Sequence, residues 1–174
     1  MTPMLELNEN TARPGTTVKF GEQAVIPYYS RYAKGLLGVS VTVDTAPAKE
    51  AEIGKLPLKD EDKEKIRGKT FFFVHKKLTN VEGANLTGIQ APSLHATTRS
   101  DGFPGWVLAI GRSVDATGRQ KQTFAPPSFS AKGAEYKTCE LMFGTASDPI
   151  VSFSFSYSKA PYEDSSSRSV TWRR

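Results

Sequence analysis

Nucleophilic catalysis near neutral pH needs a serine, cysteine or lysine activated by a base, and that base is most often histidine. The chain holds two histidines, His75 and His95, and one cysteine, Cys139. His75 lies in TFFFVHKKLTN (70–80), between three phenylalanines and two lysines, and His95 lies in the polar SLHATT (93–98). No Gly-x-Ser-x-Gly elbow presents a serine anywhere in the chain. Cys139, flanked by Thr138 and Glu140, stands in no recognisable catalytic setting. A zinc site would need closely spaced ligand pairs, which two distant histidines and one cysteine do not supply. The run KDEDKEK (59–65) lacks the recurring oxygen-ligand spacing and glycine turn of a calcium loop. No glycine-rich phosphate loop occurs, and NLT (85–87) is a glycosylation sequon by pattern alone. The motifs therefore assign no catalytic residue, no metal ligand and no cofactor, and the expectation is a protein that is not an enzyme. A triad or small-ligand site gathered from distant loops stays open, because only the fold can assemble one.

Aromatics beside lysines around His75 raise a second question, whether this stretch is a nucleic-acid surface. RNA-binding sheets set their aromatics among glycine and basic residues in a fixed order that is missing here. The 23 basic residues are mixed with 18 acidic ones, leaving a net charge of +5 and a pI near 9.3. An excess spread this way serves solubility, so no nucleic-acid partner is expected. With period two, Phe72, Val74 and Leu78 fall on one face with Lys76 among them, and Phe71, Phe73, His75 and Lys77 on the other. The expected element is one long strand that leaves the core as it nears Asn80, its lysines solubilising the strand end. His75 is then a strand residue and not a ligand.

The elements around this strand are short and densely punctuated. GTTVKF (15–20) and QAVIPYYS (23–30) are strand-like and broken by a turn at Gly21-Glu22. In LLGVSVTVDT (36–45), Leu37, Val39, Val41 and Val43 share a face opposite Ser40 and Thr42. LPLKDEDKEKIRG (56–68), acidic early and basic late with Gly68 at its end, predicts one short solvated helix. WVLAIGRSV (106–114) lies between the turns SDGFPG and DATGRQ, while two prolines restrict APPSF (125–129) to an edge or loop. AEYKTCELMF (134–143) places Cys139, Leu141 and Phe143 opposite Thr138, Glu140 and Met142. IVSFSFSYS (150–158) sets Val151, Phe153, Phe155 and Tyr157 against a row of serines, which indicates a sheet with one wet side. SVTW (169–172) predicts a closing strand. Without strand–helix alternation or internal repeats, about seven to nine such strands and one short helix predict an all-β antiparallel sandwich. Its expected buried set includes Val39, Val41, Phe72, Val74, Leu141, Phe153 and Phe155, with Ser152, Ser154 and Ser156 facing water.

At 174 residues and 38% hydrophobic, the chain is sized for one core without metal or disulfide staples. No apolar run approaches the roughly 18 residues that span a bilayer. MTPMLELNENTARPG lacks the basic and apolar regions of a signal peptide, and one cysteine allows no internal disulfide. Both facts fit a cytoplasmic protein with a loose tail as well as an exported one lacking its signal.

PGTTVKFGEQAVIPY (14–28), GKTFFFVHKKLTNVEGANL (68–86), GAEYKTCELMF (133–143) and the terminal SVTW occur in an order that resembles one group. They look like actinobacterial exported proteins and lipoproteins of unknown function, whose domain is an immunoglobulin-like β-sandwich similar to that of mycobacterial immunoprotective antigens. The resemblance covers nearly all the chain from Gly15 onward, and Thr-Asn-Val-x-Gly after an aromatic strand is its most diagnostic piece. It implies a flexible leader over 1–14, a sandwich domain over 15–174, and an export signal or lipidated cysteine upstream, with any membrane attachment made through that lipid. Relatives often pair the cysteine of Tyr-x-Thr-Cys with another shortly upstream. Gln120 to Phe124 supplies none, which leaves Cys139 as a lone inward thiol.

The function expected is non-enzymatic protein binding or scaffolding at the cell envelope or outside the cell, with another envelope or extracellular protein as partner. The candidate interface is Phe103, Trp106 and Tyr162, in or beside the polar segments SDGFPGW and KAPYEDSSSR, together with Arg112 and Arg119. Two alternatives stand beside it. One is a small-ligand sensor or enzyme with a loop-built site around His75 or His95. The other is a binder of anionic cell-wall polymers through Arg112, Arg119, Lys121 and Lys132.

Overall fold

The computed structural model describes residues 7–30, 32–106, 108–109, 112–113, 124–156 and 169–174. The strands are β1 Thr17–Lys19, β2 Ala24–Tyr29, β3 Lys34–Pro47, β4 Thr70–Asn80, β5 His95–Thr98, β6 Gly105–Trp106, β7 Leu108–Ala109, β8 Arg112–Ser113, β9 Glu135–Gly144, β10 Ile150–Phe155 and β11 Val170–Arg173. They form a four-stranded sheet in the order β1-β11-β10-β5, a five-stranded sheet in the order β2-β3-β4-β9-β6, and the small pair β7-β8.

One core joins the two large sheets. Val39, Val41, Phe72, Val74, Leu78 and Met142 from the five-stranded sheet pack in a single cluster with Ala96, Phe153, Phe155, Val170 and Trp172 from the other. Trp172 also donates its indole N–H to the Val39 carbonyl at 3.0 Å, a buried link between sheets. The arrangement is mostly β and sandwich-like. In β10 Phe153 and Phe155 are buried and Val151 half-buried, while Ser152 and Ser154 are half-exposed and Ser156 is exposed. In β3 Leu37, Val39 and Val41 face the core as the sequence indicates, but residues 35–41 are buried on both faces, Ser40 included, and Val43 is only half-buried. Tyr157 lies outside the described residues.

Several elements depart from the sequence reading. The turn at Gly21-Glu22 separates two sheets, since β1 belongs to one and β2 to the other. β1 runs parallel to β11, so the pairing is not wholly antiparallel. The segment read as one helix carries α2 (Asp60–Ile66), and a second short helix, α1 (Glu50–Gly54), precedes it. Asp60, Glu61 and Asp62 open α2, with Lys63 and Lys65 late in it, which complements the helix dipole. Gly68, at φ 74°, supplies the left-handed turn that returns the chain to β4. Residues 127–130 of the proline-rich stretch form a 3-10 turn. Residues before Gly15 touch the sandwich, since Ala12 N–H donates to the Val25 carbonyl at 2.8 Å on the free edge of β2.

α1 and α2 exist because the outer face of the five-stranded sheet is apolar at one end. Ile53, Leu56 and Ile66 from the helical segment bury Phe71 of β4 and Leu141 of β9 in a second, smaller core. Both phenylalanines of the Phe71-Phe72 pair are therefore fully buried, one on each side of the sheet.

β4 does not leave the core. Lys76 is only 2% exposed and Asn80 is fully buried. Asn80 stays inside because its side chain donates to the carbonyls of Ala84 and Phe129, each at 2.8 Å, and accepts the Gly83 N–H at 2.9 Å. Gly83, at φ 81°, makes the turn that aims that N–H, and Lys132 packs against it closely enough that a Cβ would crowd it.

Candidate functional site

Register decides which side chains can meet. Across the outer face of the five-stranded sheet, Thr42 of β3, His75 of β4 and Cys139 of β9 stand in one row, and Ser40, Lys77 and Lys137 in the next. Ser40, Thr42, His75, Lys77 and Lys137 line a shallow concavity of about 490 Å³. His75 Nε2 lies 3.0 Å from Asp44 Oδ2, and Lys77 Nζ lies 3.6 Å from Glu135. A histidine held by a carboxylate beside two hydroxyls has the parts of a general-base site. Among the described residues, however, neither Ser40 nor Thr42 is hydrogen-bonded to His75.

Cys139 is buried, as expected, yet it does not point into the space between the sheets. Its parity in β9 places it with Leu141 and Phe143 on the outer face, opposite His75. The expected inward thiol is therefore corrected: Cys139 is buried on the outer face of the sheet.

The second histidine belongs to the other sheet. His95 stands on the outer face of β5, opposite Ser154 of β10, and its ring meets Phe103 edge-on at 5.0 Å. The two histidines are thus on opposite outer faces and cannot share a site. Phe103 is 72% exposed. Its loop is fixed from behind. Asp148 accepts the Ser100 N–H at 2.7 Å, the Ser100 hydroxyl at 2.6 Å and the Thr98 hydroxyl at 2.9 Å. The Ser100 side chain, then its backbone N–H, hold the Asp148 carboxyl below the usual carboxylate range. Thr98 N–H donates to the Gly102 carbonyl at 3.0 Å, with Asp101 left-handed at φ 65° between them.

Of the other candidates, Trp106 pairs through its backbone with Met142, and Arg112 pairs with Ala109 in the small β7-β8 ladder. Tyr162, Arg119 and Lys121 lie outside the described residues. Lys132 sits against the Gly83 turn.

The sequence reading missed a buried polar group inside the sandwich. Lys76 Nζ donates to Glu140 Oε1 at 2.8 Å and to the Pro92 carbonyl at 3.2 Å. Glu140 Oε2 and the Thr138 hydroxyl are buried without a hydrogen-bond partner among the described residues. Lys76 lies opposite Thr138 in the ladder, with Glu140 on the same inner face. The only signal was parity: Lys76 falls on the apolar face of β4 and Glu140 on the face of β9 that carries Met142.

No cluster of three metal-ligating side chains occurs among the described residues, and none of their helices is long and apolar enough to cross a membrane. No family model, no curated protein and no solved structure matches the chain.

Proposed function

We propose that this chain is a non-enzymatic, immunoglobulin-like binding domain of an exported or envelope-attached protein, and that its partner is another envelope or extracellular protein. The observation that carries this reading is Phe103: a large aromatic, 72% exposed, on a loop held rigid by three hydrogen bonds to Asp148. Exposed aromatics on preorganised loops bury much area on contact and lose little entropy doing so, which is why they anchor interfaces. The resemblance to exported sandwich proteins supports the compartment.

A photo-crosslinking residue placed at 103, with a second placed at Lys137 on the other sheet as control, tests the proposal in an envelope fraction. Protein adducts at 103 and not at 137 are expected. Equal adducts at both positions sink the Phe103 surface.

His75, which lines the concavity and is paired with Asp44 beside it, favours a second reading, a small-ligand or catalytic site on the opposite face. It predicts turnover of an envelope substrate, or saturable ligand binding, that is lost in both His75→Ala and Asp44→Asn. Such a result replaces the binding reading.

A further inference from the structure

The outer face of the four-stranded sheet ends in a cluster of arginines. Lys19, Arg173, Ser152 and Thr97 form one row across β1, β11, β10 and β5. Their inward neighbours Trp172, Phe153 and Ala96 are buried in the core, so this row faces outward. Two further arginines are drawn to the same end of β10. Arg99 N–H donates to the Pro149 carbonyl and Arg174 N–H to the Val151 carbonyl, each at 3.0 Å. Arg99, Arg173 and Arg174, with the hydroxyl residues Thr97 and Ser152, line a basin of about 480 Å³. Among the described residues, none of the three arginines makes an ion pair.

The nearby carboxylates offset only part of this charge. Asp148 accepts three hydrogen bonds from Ser100 and Thr98 and stays ionised, with Arg99 near enough to stabilise its charge. Asp101 lines the basin and is exposed, so two carboxylate side chains stand against three guanidinium groups. Like charges gathered this closely repel one another, and an oxyanion relieves that repulsion. Guanidinium is the side chain whose fork of donors matches phosphate or sulfate oxygens two at a time.

We propose that this basin binds a phosphate- or sulfate-type oxyanion, held by Arg99, Arg173 and Arg174, with the Thr97 and Ser152 hydroxyls donating to it. The site is separate from the protein-binding surface proposed for Phe103, and the two readings fail separately: Phe103→Ala removes the crosslinking partner and leaves oxyanion binding intact.

The test is an NMR titration of the whole chain with sodium phosphate, against sodium chloride at matched ionic strength. Saturable shifts at the Arg99, Ser152 and Arg173 amides are expected with phosphate and not with chloride. Arg99→Gln and Arg173→Gln each weaken binding about tenfold, the loss expected for a charge-assisted hydrogen bond. Lys34→Gln, exposed on β3 of the other sheet and outside both concavities, changes nothing. Asp101→Asn tightens binding by removing the competing carboxylate, a gain that a structural role for these residues does not produce. The arginines are exposed, so their variants fold, and unchanged amide dispersion checks it. Glucose 6-phosphate binding more tightly than inorganic phosphate places the oxyanion on a larger molecule, and weaker binding makes it a free ion; either supports the site. Matching shifts in chloride, or arginine variants within twofold of the parent, overturn it.

Discussion

Outward positions at one end of the five-stranded sheet are Phe71, Phe73, Leu141 and Phe143, whereas those on the four-stranded sheet are Thr17, Thr171, Ser152, Ser154, Thr97 and His95. The first set cannot stay in water cheaply, since each large apolar side chain gains about 1.5–3 kcal/mol on burial. The chain answers with α1 and α2, whose Ile53 and Ile66 close over Phe71 and Leu141. Short hydroxyls impose no such demand. The difference shows where recognition has room among the described residues: on the basic, hydroxyl-rich face and its Phe103 edge, and on the half of the other sheet around His75 that α1 and α2 do not reach.

The largest expected effect comes from stripping the roof of its anchor. Phe71→Ala should destabilise the protein by about 3–5 kcal/mol, because a fully buried ring is lost from a small cluster that cannot collapse around the gap. Denaturant unfolding measures it. A loss under about 1 kcal/mol would mean that the helices do not seal that face, and the contrast between the two faces would go with it.

Lys76 and Lys77 repeat the contrast inside a single strand. The Lys76 side chain is 1% exposed and bonded to Glu140, whereas that of Lys77 is 43% exposed. Lys76→Ala should cost about 3 kcal/mol by leaving Glu140 largely buried without its cation. Lys77→Ala should stay within about 0.5 kcal/mol. The double variant Lys76→Met with Glu140→Leu should recover most of the loss, since a packed apolar pair replaces a buried ion pair with little penalty. No recovery would show that the polar cluster does more than neutralise itself.

These two lysines also mark how far the sequence could be read. Period two placed Lys76 among Phe72, Val74 and Leu78 correctly, yet the solvated strand end inferred from KK was wrong. The acid that makes burial tolerable sits 64 residues away, on β9. The serine row of β10 was legible because one face of that strand is wetter than the other, whereas β3 is buried on both faces from Gly35 to Val41, which its serine and threonine did not announce. The arginine basin was not legible. It is assembled from β5, β10 and β11, and register between distant strands leaves no mark on local periodicity. The partition of β1 and β2 into different sheets has the same cause, since a turn at Gly21 serves a hairpin and a sheet switch equally well. Phe103 could be singled out because it stands among turn residues, where little can bury it.

Cys139 tests whether the outer face near His75 is closed around the thiol. Cys139→Ala should cost about 1–3 kcal/mol, the range for losing a small buried side chain, and the native thiol should react slowly with labelling reagents. Fast labelling at neutral pH would mark an open face and a thiol within reach of His75. A smaller effect is expected at the base of the Phe103 loop. Asp148 is held below its usual range, so its hydrogen bonds to Ser100 and Thr98 contribute fully above the ordinary carboxylate pKa of about 3.9. They are lost as pH falls through its lower folded value. Asp148→Asn should therefore lower the Tm slightly at neutral pH and flatten its fall below pH 4, and an unchanged acid profile would show that the loop is not anchored there.

The smallest effect should belong to the outer row of the four-stranded sheet. Ser154 faces outward from β10 between Thr171 and His95, half-exposed, with Phe153 and Phe155 on the core side to either side of it. Ser154→Val exchanges a hydroxyl for a β-branched side chain that suits a pleated surface. If nothing covers this face, stability should move by no more than about 0.5 kcal/mol, and phosphate titration should be unaffected because Ser154 stands one row from the basin. A loss above about 1 kcal/mol would mean that valine overpacks or strands a polar partner there. The four-stranded sheet would then be roofed like its counterpart, and the face offered for recognition would have to be sought around His75.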